Sequence, residues 1–204
     1  MNPYPILMSS TEPGPEGVRK PLEEISKRSL VKARREGAGG SILLILSIIP
    51  YIGAIFGTVG FVLILMAGKR ISQNLGNRLI FKHLLVAAIL GILGVVIEAV
   101  WLHPSLTFYT LTFTNPARYI PLNIILAFII IWILTLISAA FLRKSLRAIA
   151  SGLGVRRFGT AALLYLIGAV LILFTILGFL IIFIAEIALA IAFLSVPLKK
   201  GVPG

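Results

Sequence analysis

Residues 158–198 form the longest apolar run of the chain, FGTAALLYLIGAVLILFTILGFLIIFIAEIALAIAFLSVPL, in which Glu186 is the only charged residue. A straight helix over these 41 residues would be roughly 60 Å long, about twice the thickness of the hydrocarbon core of a bilayer. The run therefore either overshoots a membrane or folds back on itself. A break at Gly178 leaves two halves that are each about long enough to span, so we expect a helical hairpin that turns there.

The composition predicts an all-α, polytopic membrane protein and excludes several kinds of site. Hydrophobic residues make up 58% of the 204-residue chain and the mean hydropathy is +1.04, whereas soluble domains are about 45–50% apolar. The chain has neither cysteine nor aspartate, which excludes disulfides, thiolate sites, EF-hand loops and Ser-His-Asp triads. His83 and His103 are too far apart for a His-x-x-x-His zinc pair. We expect no catalytic residue, no metal site and no cofactor.

Residues 1–37 are expected to precede the membrane domain as a disordered tail and a short basic interfacial helix. Five prolines and two glycines fall within residues 1–21, a composition typical of disorder. Residues 22–36 are rich in Lys and Arg, and Glu23 and Lys27 form a favourable i, i+4 pair. The glycines of residues 37–40 predict the end of this helix. A solvated, charged lead-in to the first span is the alternative interpretation.

Residues 38–197 are expected to form the transmembrane helical domain, which begins with the apolar run 41–68. Pro50, Tyr51 and Gly53 interrupt this run, because proline removes a backbone donor and clashes with the preceding turn. Gly53 and Gly57 form a GxxxG pair. We expect this pair to pack against another helix of the same chain, while a homo-oligomer stays open.

Two spans of ordinary length follow, at residues 84–102 and 121–142. Glu98 is a candidate intramembrane polar residue near the membrane interface, since Trp101 marks that interface. Residues 103–120 form the outer loop, with an extended segment expected at 107–114. The second span is expected to continue as a helix to Gly152. Residues 198–204 are a short basic tail.

The distribution of basic residues predicts the topology. Lys and Arg number seven in residues 1–40, four in 69–82, one in 103–120, five in 143–157 and two in 198–204. Because cytoplasmic loops carry the excess of Lys and Arg, we predict two central spans flanked by two helical hairpins, with both termini cytoplasmic in a cell membrane. Four kinked single spans are the alternative. This charge indicates anionic lipid headgroups rather than nucleic acid as the partner of Arg34, Arg35, Lys69, Arg70, Arg143, Lys144, Arg147, Arg156 and Arg157.

Several segments resemble an uncharacterised, mostly archaeal family of small multi-pass membrane proteins, classed as a domain of unknown function. The segments that carry the resemblance are Ser41–Gly53 (SILLILSIIPYIG), Gly60–Ala67, Ile71-Ser72 with Gly76 and Ile80-Phe81, Phe141–Ser145, Thr160–Gly168 and Leu189–Ser195. The resemblance covers residues 38–196, and Glu186 is atypical of the pattern. It implies a membrane location and a multi-pass architecture without implying any chemistry.

The function that these observations favour is non-enzymatic: a membrane-organising, scaffolding or accessory protein. A small transporter or channel is the alternative, because an ionisable residue within a membrane, here Glu186, is costly and commonly functional. The structural interpretation of Glu186 is a protonated side chain that hydrogen-bonds to Tyr165, Thr175 or Ser138. An enzyme is not favoured, since the chain has no Ser-His-acid, HExxH or paired-carboxylate motif.

Overall fold

The computed structural model describes residues 15–49, 52–97, 100, 122–174 and 176–197. All elements in this part of the chain are helical, as the sequence predicts for an all-α polytopic protein. The α-helices are α1 (Pro15–Leu46), α2 (Gly53–Asn74), α3 (Arg78–Ile97), α4 (Leu122–Leu153), α5 (Arg156–Leu171) and α6 (Ile176–Leu194), and a 3-10 turn (Ile172–Phe174) follows α5. The predictions for Pro50, Tyr51, Glu98, His103, Thr175 and the segment 107–114 lie outside the described residues.

The six helices form a closed ring. Each helix packs against the next one in sequence, and α6 returns to pack against α1. Neighbouring helices alternate in direction. In the α3–α4 pair, for example, Ser145 Oγ donates to the Ile80 carbonyl and Ser138 Oγ donates to the Ala87 carbonyl, both at 2.8 Å. This alternation brings every basic segment of the described chain to one end of the ring, which we call the basic end.

The two predicted hairpins are confirmed, and they flank the central helices α3 and α4. In the first, α1 ends at Leu46 and α2 begins at Gly53, so the interruption falls where the proline-containing segment predicts it. Ser26 and Ser29 contact Asn74 at the basic end, and Ser47 lies beside Gly57 at the other end. The Gly53/Gly57 pair therefore packs within the chain. Because each long apolar run is a pair of packed helices, four kinked single spans do not describe this fold.

Among the residues that the structure describes, four helical segments are long and apolar enough to cross a membrane: Ile55–Asn74, Ile124–Leu153, Arg156–Phe174 and Ile176–Leu194. The large apolar side chains most exposed to the surroundings lie at the end opposite the charges, and include Ile48, Leu122 and Ile176, which is 84% exposed. Such surfaces suit lipid, which is as apolar as the side chains that face it. The chain is accordingly a multi-pass membrane protein.

The prediction that the first helix ends at the glycines of residues 37–40 is wrong, and so is its predicted start at Leu22. A single helix runs from Pro15 to Leu46. Gly37 and Gly40 serve close packing instead of a helix stop. A Cβ on Gly40 would lie 2.7 Å from the carbonyl oxygen of Gly60 in α2, and a Cβ on Gly37 would overlap the ring of Phe193 in α6. Residues 15–21, expected to be disordered, are the first turns of α1.

The position predicted for the second hairpin turn is also corrected. The chain turns at Ile172–Phe174, before α6 begins at Ile176, so Gly178 lies inside the first turn of α6. Gly178 is buried there against the end of α5, and a Cβ on it would lie 2.5 Å from the backbone of Ile172. Gly178 permits α5 and α6 to pack closely next to the turn. In the sequence, a glycine required for such packing looks the same as a glycine that ends a helix.

Helix α4 continues without a break to Leu153, which confirms the predicted extension to Gly152. The next helix begins three residues later, after Gly154 with φ +70°. The connection between α2 and α3 also contains a glycine with a positive φ, Gly76 at +64°. Glycine adopts this left-handed conformation without the steric cost that a Cβ imposes. Both tight turns lie at the basic end, where the C-terminal part of α4 packs between its neighbours.

The most deeply buried part of the core lies at the basic end. Ile71, Ile80, Leu146, Ile149, Phe158 and Phe193 are each 1% exposed or less, and we call them the apolar plug. The rings of Phe158 and Phe193 meet edge to face, with centroids 5.1 Å apart and an interplanar angle of 88°. This geometry is favourable for aromatic pairs beyond the area that they bury. The plug closes the centre of the ring beneath the basic segments.

Candidate functional site

A cavity of about 170 Å³ lies inside the ring, and all six helices contribute to its wall. Most of the lining is apolar, from Leu44 in α1 to Leu189 in α6. Four polar side chains also line the cavity: Thr135, Ser138, Tyr165 and Glu186. Concave, mostly apolar sites that carry a few convergent polar groups are typical of small-molecule binding. The cavity is therefore the candidate functional site.

The apolar plug separates the cavity from the basic end. Leu84, Leu142 and Leu189 line the cavity. Residues of the plug lie four positions away on the same helices: Ile80 on α3, Leu146 on α4 and Phe193 on α6. Residues four apart share one face of a helix and are about one turn apart along it. The plug is thus one helical turn beyond the cavity.

Glu186 is the acidic member of the site and belongs to the most apolar helix of the ring. Ile182 and Leu189, on the same helical face, line the cavity with it. Tyr165 of α5 lines the same cavity as Glu186. Within the described part of the chain, no hydrogen bond or salt bridge holds its carboxyl group. The predicted hydrogen bond to Ser138 is not formed; the Ser138 hydroxyl instead donates to the Ala87 carbonyl of α3.

Thr135 is a site residue that the sequence analysis did not identify. Its Oγ1 donates to the carbonyl of Ile131 at 2.8 Å, one turn earlier in α4. A signal was available, since Thr135 and Ser138 are three residues apart and thus share one helical face in a long apolar run. The small residues Ala87 and Gly91, which the sequence places on one face of α3, also line the cavity. They leave room where larger side chains would fill it.

Nine basic residues for which we predicted headgroup contacts surround the basic end, and we call them the basic rim: Arg34, Arg35, Lys69, Arg70, Arg143, Lys144, Arg147, Arg156 and Arg157. All of them except Arg34, Arg70 and Arg143 are exposed, and those three are half-buried. Arg70 Nε donates to Glu36 at 2.7 Å, and Arg157 Nη1 donates to Ser195 Oγ at 2.8 Å. The buried Nε of Arg143 has no partner within the described residues.

No cluster of three or more potential metal ligands occurs among the residues that the structure describes. Neither Gly53 nor Gly178 lines the cavity. Gly53 is the first residue of α2, and Gly178 packs against the end of α5. Of the two acidic residues singled out from the sequence, Glu186 lines the candidate site, and Glu98 lies outside the described residues.

Comparison with known proteins identifies the family of this chain. A family model described as "Protein of unknown function (DUF996)" matches residues 56–187. The chain belongs to the DUF996 family. This DUF996 chain is also similar to an uncharacterised protein of the archaeon Methanocaldococcus jannaschii, with 33% identity over 174 residues that cover 84% of this chain and 95% of the relative. No solved structure matches.

The family match confirms the resemblance predicted from the sequence. It extends from α2 into α6, and it includes all four polar residues of the cavity. Neither the family model nor the archaeal relative carries an assigned activity. For this DUF996 protein, the residues that line the cavity are therefore the basis for a proposed function.

Proposed function

We propose that this protein binds a small solute in its central cavity and moves it across the membrane, with Glu186 as the binding and coupling group. The observation that carries the proposal is that all six helices line one cavity whose described lining holds a single carboxyl group. A membrane-organising protein needs no such cavity. The geometry thus favours the transporter alternative over the organising role that the sequence favoured.

The placement of Glu186 supports the proposal energetically. A carboxyl group in an apolar membrane helix is costly, and such residues usually pair with a partner or line a solute pathway. Glu186 lines the cavity, and no side chain of the described chain forms a salt bridge with it. Transport further requires the apolar plug to separate so that the solute can leave at the basic end. Such alternating access around a central site is common to many small transporters.

Reconstitution into liposomes tests this function. We expect the wild-type protein to carry a proton or monovalent-cation current under an imposed gradient, and Glu186→Gln to reduce that flux by at least about tenfold because it removes the titratable group. Glu23→Gln is the matched control, since Glu23 is exposed on α1 and its substitution should leave the flux unchanged. Equal flux for both variants would refute the role of Glu186, and no flux above protein-free liposomes would refute transport.

We propose that the basic end faces the cytoplasm, so that both termini are cytoplasmic. The support is the rule that Lys and Arg accumulate on that side, together with the alternating directions of the six described helices. In sealed right-side-out vesicles, a single cysteine at the exposed Ser151 should react with an impermeant maleimide only after permeabilisation. A cysteine at Ser105, in the predicted outer loop, should react at once. The reversed pattern would invert the topology.

The membrane-organising role is the second candidate, and the basic rim favours it. Clustered basic side chains beside a membrane attract anionic headgroups, each contributing about 1 kcal/mol near the surface. We expect the protein to melt at a higher temperature in phosphatidylglycerol than in phosphatidylcholine nanodiscs. The double variant Arg156→Gln/Arg157→Gln should lose much of this difference, and high salt should weaken it. Equal melting in both lipids would argue against headgroup binding.

A further inference from the structure

We propose that the cavity is a binding site for a small primary or secondary alkylammonium ion, a short amine that carries its charge on an N–H group. This inference names the class of solute and rests on the proposed function. Three properties of the wall lead to it: its hydrogen-bonding character, its charge and its size.

The polar groups of the cavity are mainly hydrogen-bond acceptors. A hydroxyl group has one hydrogen to donate and two lone pairs that accept. The Thr135 hydroxyl donates its hydrogen to the Ile131 carbonyl, and the Ser138 hydroxyl donates its hydrogen to the Ala87 carbonyl. Both hydroxyl oxygens can therefore only accept from a molecule in the cavity. A carboxylate at Glu186 also only accepts, which leaves Tyr165 as the one hydroxyl with a hydrogen to give. A complementary ligand must donate hydrogen bonds.

The charge of the wall selects a cation. The lining, as far as the structure describes it, contains one acidic and no basic side chain. Arg143 follows Leu142 in sequence, yet it does not line the cavity and forms no salt bridge with Glu186. A half-buried carboxylate in a mostly apolar cavity is unfavourable without a partner, so an ammonium ion that enters the cavity would supply the missing partner. An anion would meet the carboxylate without any compensating donor except Tyr165.

The size and shape of the cavity restrict the rest of the ligand. An apolar cavity of about 150 Å³ accommodates benzene, and this one measures about 170 Å³. A short alkyl chain fits such a volume and would contact the leucine, isoleucine and alanine side chains of the wall. Phe61 and Tyr165 also line the cavity, and aromatic rings of this kind attract cations. Hard metal cations prefer six or more oxygen ligands, and only four side chains of the described lining carry oxygen.

The test measures binding of n-butylammonium to the purified full-length protein in detergent by calorimetry, with 1-butanol and butyrate as neutral and anionic analogues. We expect n-butylammonium to bind most tightly, and Glu186→Gln to weaken it by at least about tenfold while leaving 1-butanol unchanged. Ala139→Leu retains the carboxyl group but fills the cavity from α4, and it should weaken both ligands. Helical content and a single gel-filtration peak check that each variant is folded.

The outcomes separate this inference from transport itself. Cation flux that depends on Glu186 without n-butylammonium binding would overturn the inference and leave the proposed function standing. Binding without any flux would support the site and refute transport. Equal binding of n-butylammonium to wild-type and Glu186→Gln, or preferential binding of butyrate, would show that the carboxyl group does not act as an anion here, and the inference would be wrong. Should Glu186→Gln fail to fold, Ala139→Leu and the comparison of the three ligands decide the matter.

Discussion

Replacing Phe193 with alanine is expected to lower the free energy of unfolding by about 3–5 kcal/mol, the usual cost of removing a buried phenylalanine ring. Phe193 is 1% exposed, meets Phe158 edge to face and packs on the backbone of α1 at Gly37. The substitution therefore removes contacts between α6 and both α5 and α1. Reversible unfolding in mixed micelles measures the change.

Leu194→Ala is the control for that experiment. Leu194 is the next residue of α6, but half of its surface is exposed and faces outward from the ring. Truncating it removes little packing, so the loss should stay below about 1 kcal/mol. Similar losses for both substitutions would mean that Phe193 does not form part of a rigid plug.

The second large effect is expected at the crossing of α1 and α2. Gly40→Ala should lower the free energy of unfolding by about 2–3 kcal/mol, because its Cβ would lie 2.7 Å from the Gly60 carbonyl oxygen and 2.9 Å from the Ile64 side chain. A backbone oxygen cannot rotate away as a side chain can, so the two helices must move apart. Reversible unfolding of the full-length protein in micelles again measures the change in the free energy of unfolding.

Gly39→Ala is a matched control one residue away. The space around Gly39 is open, with nothing within 4 Å of a Cβ built there. Both substitutions gain the same helix propensity, about 1 kcal/mol relative to glycine, and only one of them meets α2. Gly39→Ala should thus be neutral or stabilising. If both variants had the same stability, the close approach of the helices would not contribute to the fold.

The sequence determines most of the topology by itself. The proline-containing break, the long uncharged runs and the basic segments predict two hairpins around α3 and α4, and the structure confirms this arrangement. The Ser145–Ile80 hydrogen bond that joins α3 and α4 connects positions 65 residues apart. Local patterns do not identify such partners. They indicate which segments form apolar helices, and they leave the exact boundaries and the neighbours of each helix open.

The glycines show why the remaining details could not be predicted. At Gly40 and Gly178, glycine is required because another backbone approaches closely, whereas at Gly154 it is required by a positive φ. The residue is glycine in all three cases. Without knowing the partner helix, one cannot tell from the sequence whether a glycine ends a helix, forms a turn or makes room for a packing contact. The cavity depends similarly on the rotation of six helices, which decides that Glu186 faces inward with Tyr165 and Ser138.

Ring closure between the first and the last helix has a consequence for biogenesis. A ribosome delivers α1 to the membrane well before α6, so the surface at Gly37 where Phe193 docks must stay uncovered while the intervening helices are inserted. The carboxyl group of the cavity arrives on that same final helix. A nascent chain with five inserted helices would lack both its last structural contact and the carboxyl group of the cavity, so the candidate site is complete only after the final helix has been inserted.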